Sequence, residues 1–228
     1  PGEFPSVADK ILGHDLSGLV RDSGKTDIAE GVRVTCDPNT WCGACSQCER
    51  GRVNLCPNNL ATGIHRDGGF AEFCVFPASK AVVLPNEINP LYGAFCEPLA
   101  CTLHGMDIGA VSEGETVLVI GGGVIGLMAV QLAKLSGAEV MLLTRSPEKQ
   151  SLGLNIGADY AVGTESGVRN IWPDGADLVV ECAGVSLTVT MSHKLARSGG
   201  RVVILGVISQ GEKVPIEPFD MLFREIQM

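Results

Sequence analysis

Positive charge is scarce in this chain. Seventeen Lys and Arg stand against 26 Asp and Glu, a formal net charge of −9 and a sequence pI near 4.9. That balance argues against nucleic acid or an anionic membrane surface as partner. Long apolar runs are missing as well. The longest, Val117–Val130, is too short and too glycine-rich to span a bilayer, which takes ~20 apolar residues. No basic-plus-apolar signal segment opens the chain, and there is no internal repeat or low-complexity tract. Cysteine is present without the spacing of a disulfide framework. Four of the nine crowd into one cluster, a metal pattern, so a reducing compartment is expected, with cytoplasm as the default. The 228 residues, 45% hydrophobic, suffice for two modest domains with a real core. The chain starts at Pro1 without an initiator methionine and ends at Glu225-Ile226-Gln227-Met228 as if inside a strand, so it reads as a fragment.

What is present is organised around Thr116–Arg145. Val117–Ile120 is a short β-branched apolar run, the pattern of a strand buried on both faces. It enters Gly121-Gly122-Gly123-Val124-Ile125-Gly126, a G-x-G-x-x-G. Val124–Leu135 then has apolar residues at helical spacing, Gly137 stops it, and a second apolar strand follows at Val140–Leu143. Glycine-rich turns are common, but with both strands and the helix in place the unit reads as a dinucleotide-binding βαβ. Gly121 would permit the tight turn, Gly123 the approach of a pyrophosphate, and Gly126 the close packing of helix on strand. The N–H groups at the start of the helix, on Val124, Ile125 and Gly126, would face the phosphates.

The end of the second strand bears on which nucleotide. An NAD site usually carries an acid about 20 residues past the glycines, for the ribose 2′-hydroxyl. Here the strand ends Leu143-Thr144-Arg145-Ser146. Arg145 with Thr144 and Ser146 suits a 2′-phosphate, so NADP(H) is expected over NAD(H). The alternative is that Arg145 is a solvated loop cation and that Glu148 or another group serves NAD.

Before this unit, short strands divided by Gly, Pro and Asp turns imply a small β-rich domain. Val32–Thr35, the alternating Gly69–Val75 and Ala81–Leu84 read as extended, Cys36 to about Pro57 as loop, and Tyr92–Ile108 as mostly helical. After it, Tyr160–Val162, Asp177–Cys182 and Arg201–Val207 read as strands, with a helix over Leu187–Arg197 stopped by Gly199-Gly200. The second half is therefore an α/β parallel sheet with helices on its faces.

Two constellations carry chemistry. Cys42-x2-Cys45-x2-Cys48-x7-Cys56 places four thiols within fifteen residues, enough to close a tetrahedral S₄ shell around zinc. Such a site has no open position and would staple a loop. The alternative is an iron–sulfur cluster, since Cys56-Pro57 resembles the end of ferredoxin ligation. The second constellation is His14-Asp15 with Glu97; read alone, His14 is equally a structural histidine and Glu97 an acid at a helix N-terminus.

Gly13-His14-Asp15-Leu16-Ser17-Gly18 resembles the GHE-x-x-G turn of zinc-dependent medium-chain dehydrogenases. The cysteine lobe, Asp67-Gly68-Gly69-Phe70-Ala71-Glu72, Glu97-Pro98-Leu99-Ala100, the glycine fingerprint and Glu181-Cys182-Ala183-Gly184 resemble the same family in the same order. The Glu97-Pro98-Leu99 version is most similar to its sorbitol/polyol dehydrogenase branch.

The resemblance implies a partial GroES-like catalytic domain over 1–104, with a structural-zinc lobe at 36–57, joined to a Rossmann domain over 105–228 truncated at its C-terminus. It implies a catalytic zinc on His14 and Glu97, with Asp15 in place of the family's longer glutamate, and hydride transfer between a secondary alcohol or polyol and NAD(P). The backbone at Ala183 and Gly206 would lie along the cofactor. The parent enzyme would be a homo-dimer or homo-tetramer acting on a small molecule. The family's first catalytic ligand, a cysteine, would precede Pro1, and Cys96 is read as a core thiol rather than its replacement. Phe70, Trp41 and His65 are read as pocket or packing residues. The competing function is a non-catalytic nucleotide-binding protein with one structural zinc.

Overall fold

The computed structural model describes residues 7–228; residues 1–6, where the expected catalytic domain begins, lie outside the described residues. The chain divides into two compact units, one up to Pro98 and one from Leu99 onward.

In chain order the first unit holds β1 (Ser17–Leu19), β2 (Arg33–Cys36), β3 (Asn39–Thr40), α1 (Ser46–Glu49), β4 (Leu60–Ala61), β5 (Ala81–Val83) and α2 (Pro90–Gly93). An antiparallel sheet has the order β1-β2-β5, with Ser17 opposite Thr35 and Val34 opposite Val83. β3 and β4 form a separate ribbon flanking the cysteine loop. Among the described residues of this unit, the buried apolar ones are Val34, Cys36, Cys56, Ala61 and Leu84. The alternating stretch 69–75 is not a strand. Phe70, Phe73 and Val75 are 80%, 64% and 88% exposed, so the alternation has no buried face to stabilise it. The N–H groups of Gly68, Gly69 and Phe70 instead donate to the carbonyls of Ile11, Gly13 and Leu12.

The expected helix over Tyr92–Ile108 is two helices. Asn89 caps α2 by accepting the Leu91 N–H at 3.0 Å, with Pro90 at the first helical position. α3 (Cys96–Gly109) follows after a break at Ala94-Phe95. Cys96, expected in the core, is half-buried.

The second unit continues with β6 (Thr116–Ile120), α4 (Val124–Leu135), β7 (Glu139–Leu143), α5 (Pro147–Asn155), β8 (Tyr160–Val162), α6 (Glu165–Ile171), β9 (Ala176–Glu181), α7 (Ser186–Leu195), β10 (Ala196–Ile204) and α8 (Pro218–Phe223). Its five strands are all parallel, in the order β10-β9-β6-β7-β8. Alternate residues of β6 enter two separate cores. Val117 and Val119 pack with Ala129, Val130, Leu142 and Val180 on one face; Leu118 and Ile120 pack with Met141, Val168, Val179 and Leu195 on the other. Burial on both faces is what the unbroken apolar runs encode. The chain winds outward from β6 through β7 to β8, then returns to β9 on the other side. The carboxyl ends of β6 and β9 are therefore the topological switch point, where such sheets bind ligands.

The helix expected over Leu187–Arg197 ends at Leu195, because Ala196 is already extended and pairs with Ala176. Gly199-Gly200 does not stop it. These glycines sit in an irregular stretch of β10, where the register shifts between Ala196 and Arg201. A side chain at Gly200 would meet the Arg197 carbonyl oxygen at 2.8 Å. At the end of the chain, Gln227 makes a single parallel bridge to Arg201.

Candidate functional site

The cysteine loop brings four sulfurs together. Cys45 Sγ lies 3.5 Å from Cys48 Sγ and 3.8 Å from Cys56 Sγ, and Cys56 Sγ lies 3.5 Å from Cys42 Sγ. α1 begins at its cap Cys45, the Gly51 N–H donates to the Cys48 carbonyl, and a tight turn at 53–55 delivers Cys56. A tetrahedral ion with metal–sulfur bonds of about 2.3 Å sets its sulfurs about 3.8 Å apart, so these separations fit a single zinc. An iron–sulfur cluster spreads its ligands over several irons and needs a wider ring of thiolates. The thiols differ in acidity. Hydrogen bonds from the Ala44 backbone, Asn58 and Cys56 hold Cys42 down to about 6, whereas burial and then Cys45 push Cys48 up to about 11. Beneath the lobe, Lys80 Nζ is 2.8 Å from Asp37 Oδ2 and 3.1 Å from the centroid of the Trp41 ring. Trp41 is thus accounted for by packing against a nearly buried cation.

His14, Asp15 and Glu97 each offer a ligand atom, and these atoms lie within 4.8 Å of one another. His14 Nε2 is 3.4 Å from Asp15 Oδ1. Local structure explains the convergence. Gly13 turns with φ +102°, and the chain then enters β1, whose Ser17 hydroxyl donates to the Pro90 carbonyl. A side chain at Gly93 would strike Leu84 and meet Ser17 Cβ at 2.8 Å, so only glycine lets α2 lie this close to β1. α3 starts three residues later and presents Glu97 beside His14. All three residues are partly exposed. Imidazole and carboxylate with solvent access fit an open zinc position, in contrast to the closed cysteine shell. Neither His65 nor Phe70 belongs to this ligand group: His65 Nδ1 accepts the Ala61 N–H at 3.0 Å, and Phe70 lies against Gly13.

The glycine fingerprint makes its turn at the switch point. Gly121 has φ +111°, and a Cβ there would sit 2.9 Å from the Ala183 nitrogen, so the loops after β6 and β9 touch. A Cβ on Gly126 would overlap the Gly121 carbonyl, which is why the helix can pack on the strand only with glycine there. At Gly123 a side chain would meet nothing within 4 Å. That residue caps α4 without a side-chain hydrogen bond, and exposed Val124 and half-buried Ile125 follow it, so the start of the helix opens onto free space while Gly126 is buried against the turn. Arg145 is exposed at the end of β7, beside half-buried Thr144 and Ser146; Ser146 Oγ accepts the Lys149 N–H at 3.3 Å and caps α5.

Sequence reasoning names Glu181 only within a family-like stretch and gives it no role; it is fully buried. Its carboxylate accepts from the Ala183 and Gly184 N–H groups and the Thr188 hydroxyl, and its carbonyl accepts from the Gly206 N–H. It joins the backbones at Ala183 and Gly206. An acid closing an otherwise apolar strand was the available signal.

Comparison with known proteins follows this geometry. The alcohol dehydrogenase GroES-like domain matches residues 2–86, and the zinc-binding dehydrogenase domain matches residues 124–228. A sorbitol dehydrogenase of Halalkalibacterium halodurans is 33% identical over 92% of this chain and 65% of its own length. D-arabinitol dehydrogenase 1 of Uromyces fabae is 32% identical over 100% of this chain and 68% of its own. A crystal structure from Sinorhizobium meliloti 1021, assigned as a zinc-binding dehydrogenase and bound to NADP, superposes with a TM-score of 0.94 at 52% identity, covering 99% of this chain and 69% of that one. The chain spans about two thirds of the length of the curated relatives it matches.

Proposed function

Because this chain belongs to the zinc-dependent medium-chain alcohol dehydrogenase family, we propose that the protein of which it forms part is an oxidoreductase. The reaction is hydride transfer between a secondary alcohol or polyol, or the matching ketone, and a nicotinamide dinucleotide. The observation that carries this reading is the convergence of His14, Asp15 and Glu97 on one point, apart from the closed four-cysteine shell. Cys42, Cys45, Cys48 and Cys56 hold a structural zinc, and His14 and Glu97 a catalytic one. When bound, the catalytic zinc supplies Lewis acidity toward the substrate oxygen.

The chain's own groups do the rest. Asp15, beside His14 Nε2, balances positive charge next to the ligand imidazole. Gly121 makes the turn, Gly126 lets α4 pack on the strand, and Gly123 leaves open the space for a pyrophosphate at the start of α4, where the Val124 and Ile125 N–H groups lie. Glu181 holds the Ala183 and Gly206 backbones in line along the nucleotide.

NADP(H) is preferred over NAD(H). Arg145 is exposed beside Thr144 and Ser146, and β7 ends without the acid that would repel a 2′-phosphate. The parent protein works as a homo-dimer or homo-tetramer in the cytoplasm; the metal-type spacing of the cysteine cluster supports that compartment. Among the described residues, no helix is long and apolar enough to cross a membrane.

The test is alcohol-dependent reduction of NADP⁺ by the full-length parent, with polyols and secondary alcohols as substrates. Activity abolished by a chelator and restored by zinc is expected. Activity indifferent to metal removal overturns the mechanism, and nucleotide binding with one zinc and no turnover favours a non-catalytic role.

A further inference from the structure

His14 follows a turn packed closely by backbone, with the Phe70 ring against Gly13. The carbonyl oxygen of Gly13 accepts the Gly69 N–H at 2.7 Å, that of Ile11 accepts the Gly68 N–H at 2.8 Å, and that of Leu12 accepts the Phe70 N–H at 2.9 Å. The segments 11–13 and 68–70 are thus laced together immediately before the histidine. Asp67 adds a side-chain acceptor for the Ile11 N–H at 3.1 Å. A third segment closes the turn. The Gly63 N–H donates to the Arg66 carbonyl, and a Cβ on Gly63 would lie 2.8 Å from the His14 nitrogen and overlap the Gly13 carbonyl. A Cβ on Gly68 would overlap both the Gly13 carbonyl oxygen and the Gly63 Cα. These obstacles are backbone atoms, which cannot rotate away as the end of a side chain can.

We infer that Gly63 and Gly68 are positioning residues: with Gly13 they form a close-packed backbone mould that fixes where His14 and Asp15 present their side chains toward Glu97. Neither glycine touches the ligand group itself. They act by setting the height of the Gly13 carbonyl, and with it the direction in which the chain leaves for His14. Adding one methyl group at Gly68 pushes the Gly13–His14 peptide outward while leaving the cysteine lobe, built from residues 42–56, as it is. This inference rests on the reading of His14 and Glu97 as ligands of a catalytic metal with Asp15 beside them.

The two metal sites provide an internal control. Gly68→Ala, Gly69→Ala and Gly18→Ala form a graded series within the same unit. At Gly18 a Cβ meets nothing within 4 Å; at Gly69 it crowds the Leu16 side chain, 2.9 Å from Leu16 Cβ, and reaches the Gly13 carbonyl oxygen only at an ordinary contact of 3.6 Å; at Gly68 it overlaps backbone. Zinc per chain and zinc affinity by chelator competition are measured on the 228-residue chain and each variant, with urea stability measured separately. The wild-type chain is expected to hold about two zinc ions. Gly68→Ala is expected to keep the cysteine-lobe zinc and weaken the other about 10- to 100-fold, the range seen when a ligand's support is lost. Gly69→Ala should weaken it less, and Gly18→Ala should not change it. If Gly68→Ala does not fold, Gly69→Ala and Gly18→Ala carry the test, because a shifted Leu16 still reports on the Gly13 turn. Equal affinity at the second site across the folded variants overturns the inference, as does zinc loss that merely follows stability at both sites. A wild-type chain holding only the cysteine-lobe zinc is a different failure: it overturns the ligand reading itself.

Discussion

The Thr188 hydroxyl donates to Oε1 of Glu181 at 2.7 Å, and the same oxygen accepts the N–H groups of Ala183 and Gly184 at 2.9 and 3.0 Å. One fully buried carboxylate therefore ties the end of β9 to the loop beside the glycine fingerprint and to the first turn of α7. A Gln there can keep its oxygen at the Oε1 position, but its NH₂ then faces the Gly184 N–H that Oε2 accepts at 3.3 Å, and the remaining bonds lose their charge-assisted character. Glu181→Gln is expected to lower stability by about 1–2 kcal/mol. Thr188→Val should cost about 1 kcal/mol. Urea denaturation of the second unit measures both. Equal midpoints for Glu181→Gln and wild type would mean that the turn is held by packing alone.

The proposed preference for NADP(H) rests on Arg145. If it meets a 2′-phosphate, Arg145→Asp removes a charge-assisted contact and adds repulsion, so NADP(H) affinity should fall about 30- to 100-fold while NAD(H) affinity holds or rises. Fluorescence titration with both nucleotides reads the ratio directly. A ratio unmoved by the substitution would make Arg145 a solvated loop cation.

The cysteine lobe predicts a stoichiometric loss. Cys45 Sγ is within 3.8 Å of two of the other sulfurs, so Cys45→Ser should remove about one zinc per chain and expose the loop at 42–56 to protease. Three remaining thiols that still hold zinc stoichiometrically through dialysis would show that the shell tolerates an oxygen ligand.

The parts legible in the sequence were those governed by local rules. The helix Val124–Leu135 was foreseen to the residue, because a glycine turn opens it and Gly137 follows it in the left-handed region, φ +81°. The strands around it were foreseen within one residue, since a strand buried on both faces is a plain apolar run. Stretch 69–75 misled because alternation implies a strand only where one face is covered, and coverage is a tertiary property. The seam at Leu195-Ala196 was hidden for a similar reason: pairing with Ala176 overrides the helical pattern there. The grouping of His14, Asp15 and Glu97 has no signature in spacing. It depends on α2 packing against β1, and only resemblance to a family suggested it beforehand. Glu181 and Gly68 are informative for what surrounds them in space, which the linear order does not express.

His193 gives the stability a sign with pH. Its side chain on α7 is fully buried, and neither ring nitrogen has a hydrogen-bond partner among the described residues. Burial pushes its pKa below the ordinary histidine value. Asp220 and Glu217 oppose that shift, while Lys194 and Arg224 reinforce it. The neutral ring is thus favoured in the folded chain, and the unfolded chain takes up the proton first. The contribution is fully present above the unfolded pKa of about 6.5 and is lost progressively as pH falls below it toward the depressed folded value. Stability should therefore drop as pH falls below about 6.5, with a slope of up to ~1.4 kcal/mol per pH unit from this residue. His193→Leu fills much of the same volume without a titrating group. Urea midpoints across this range should fall more steeply for wild type than for the variant. Parallel curves would mean that the ring finds a proton acceptor when charged, with the Asp220 carboxylate the nearest candidate by charge.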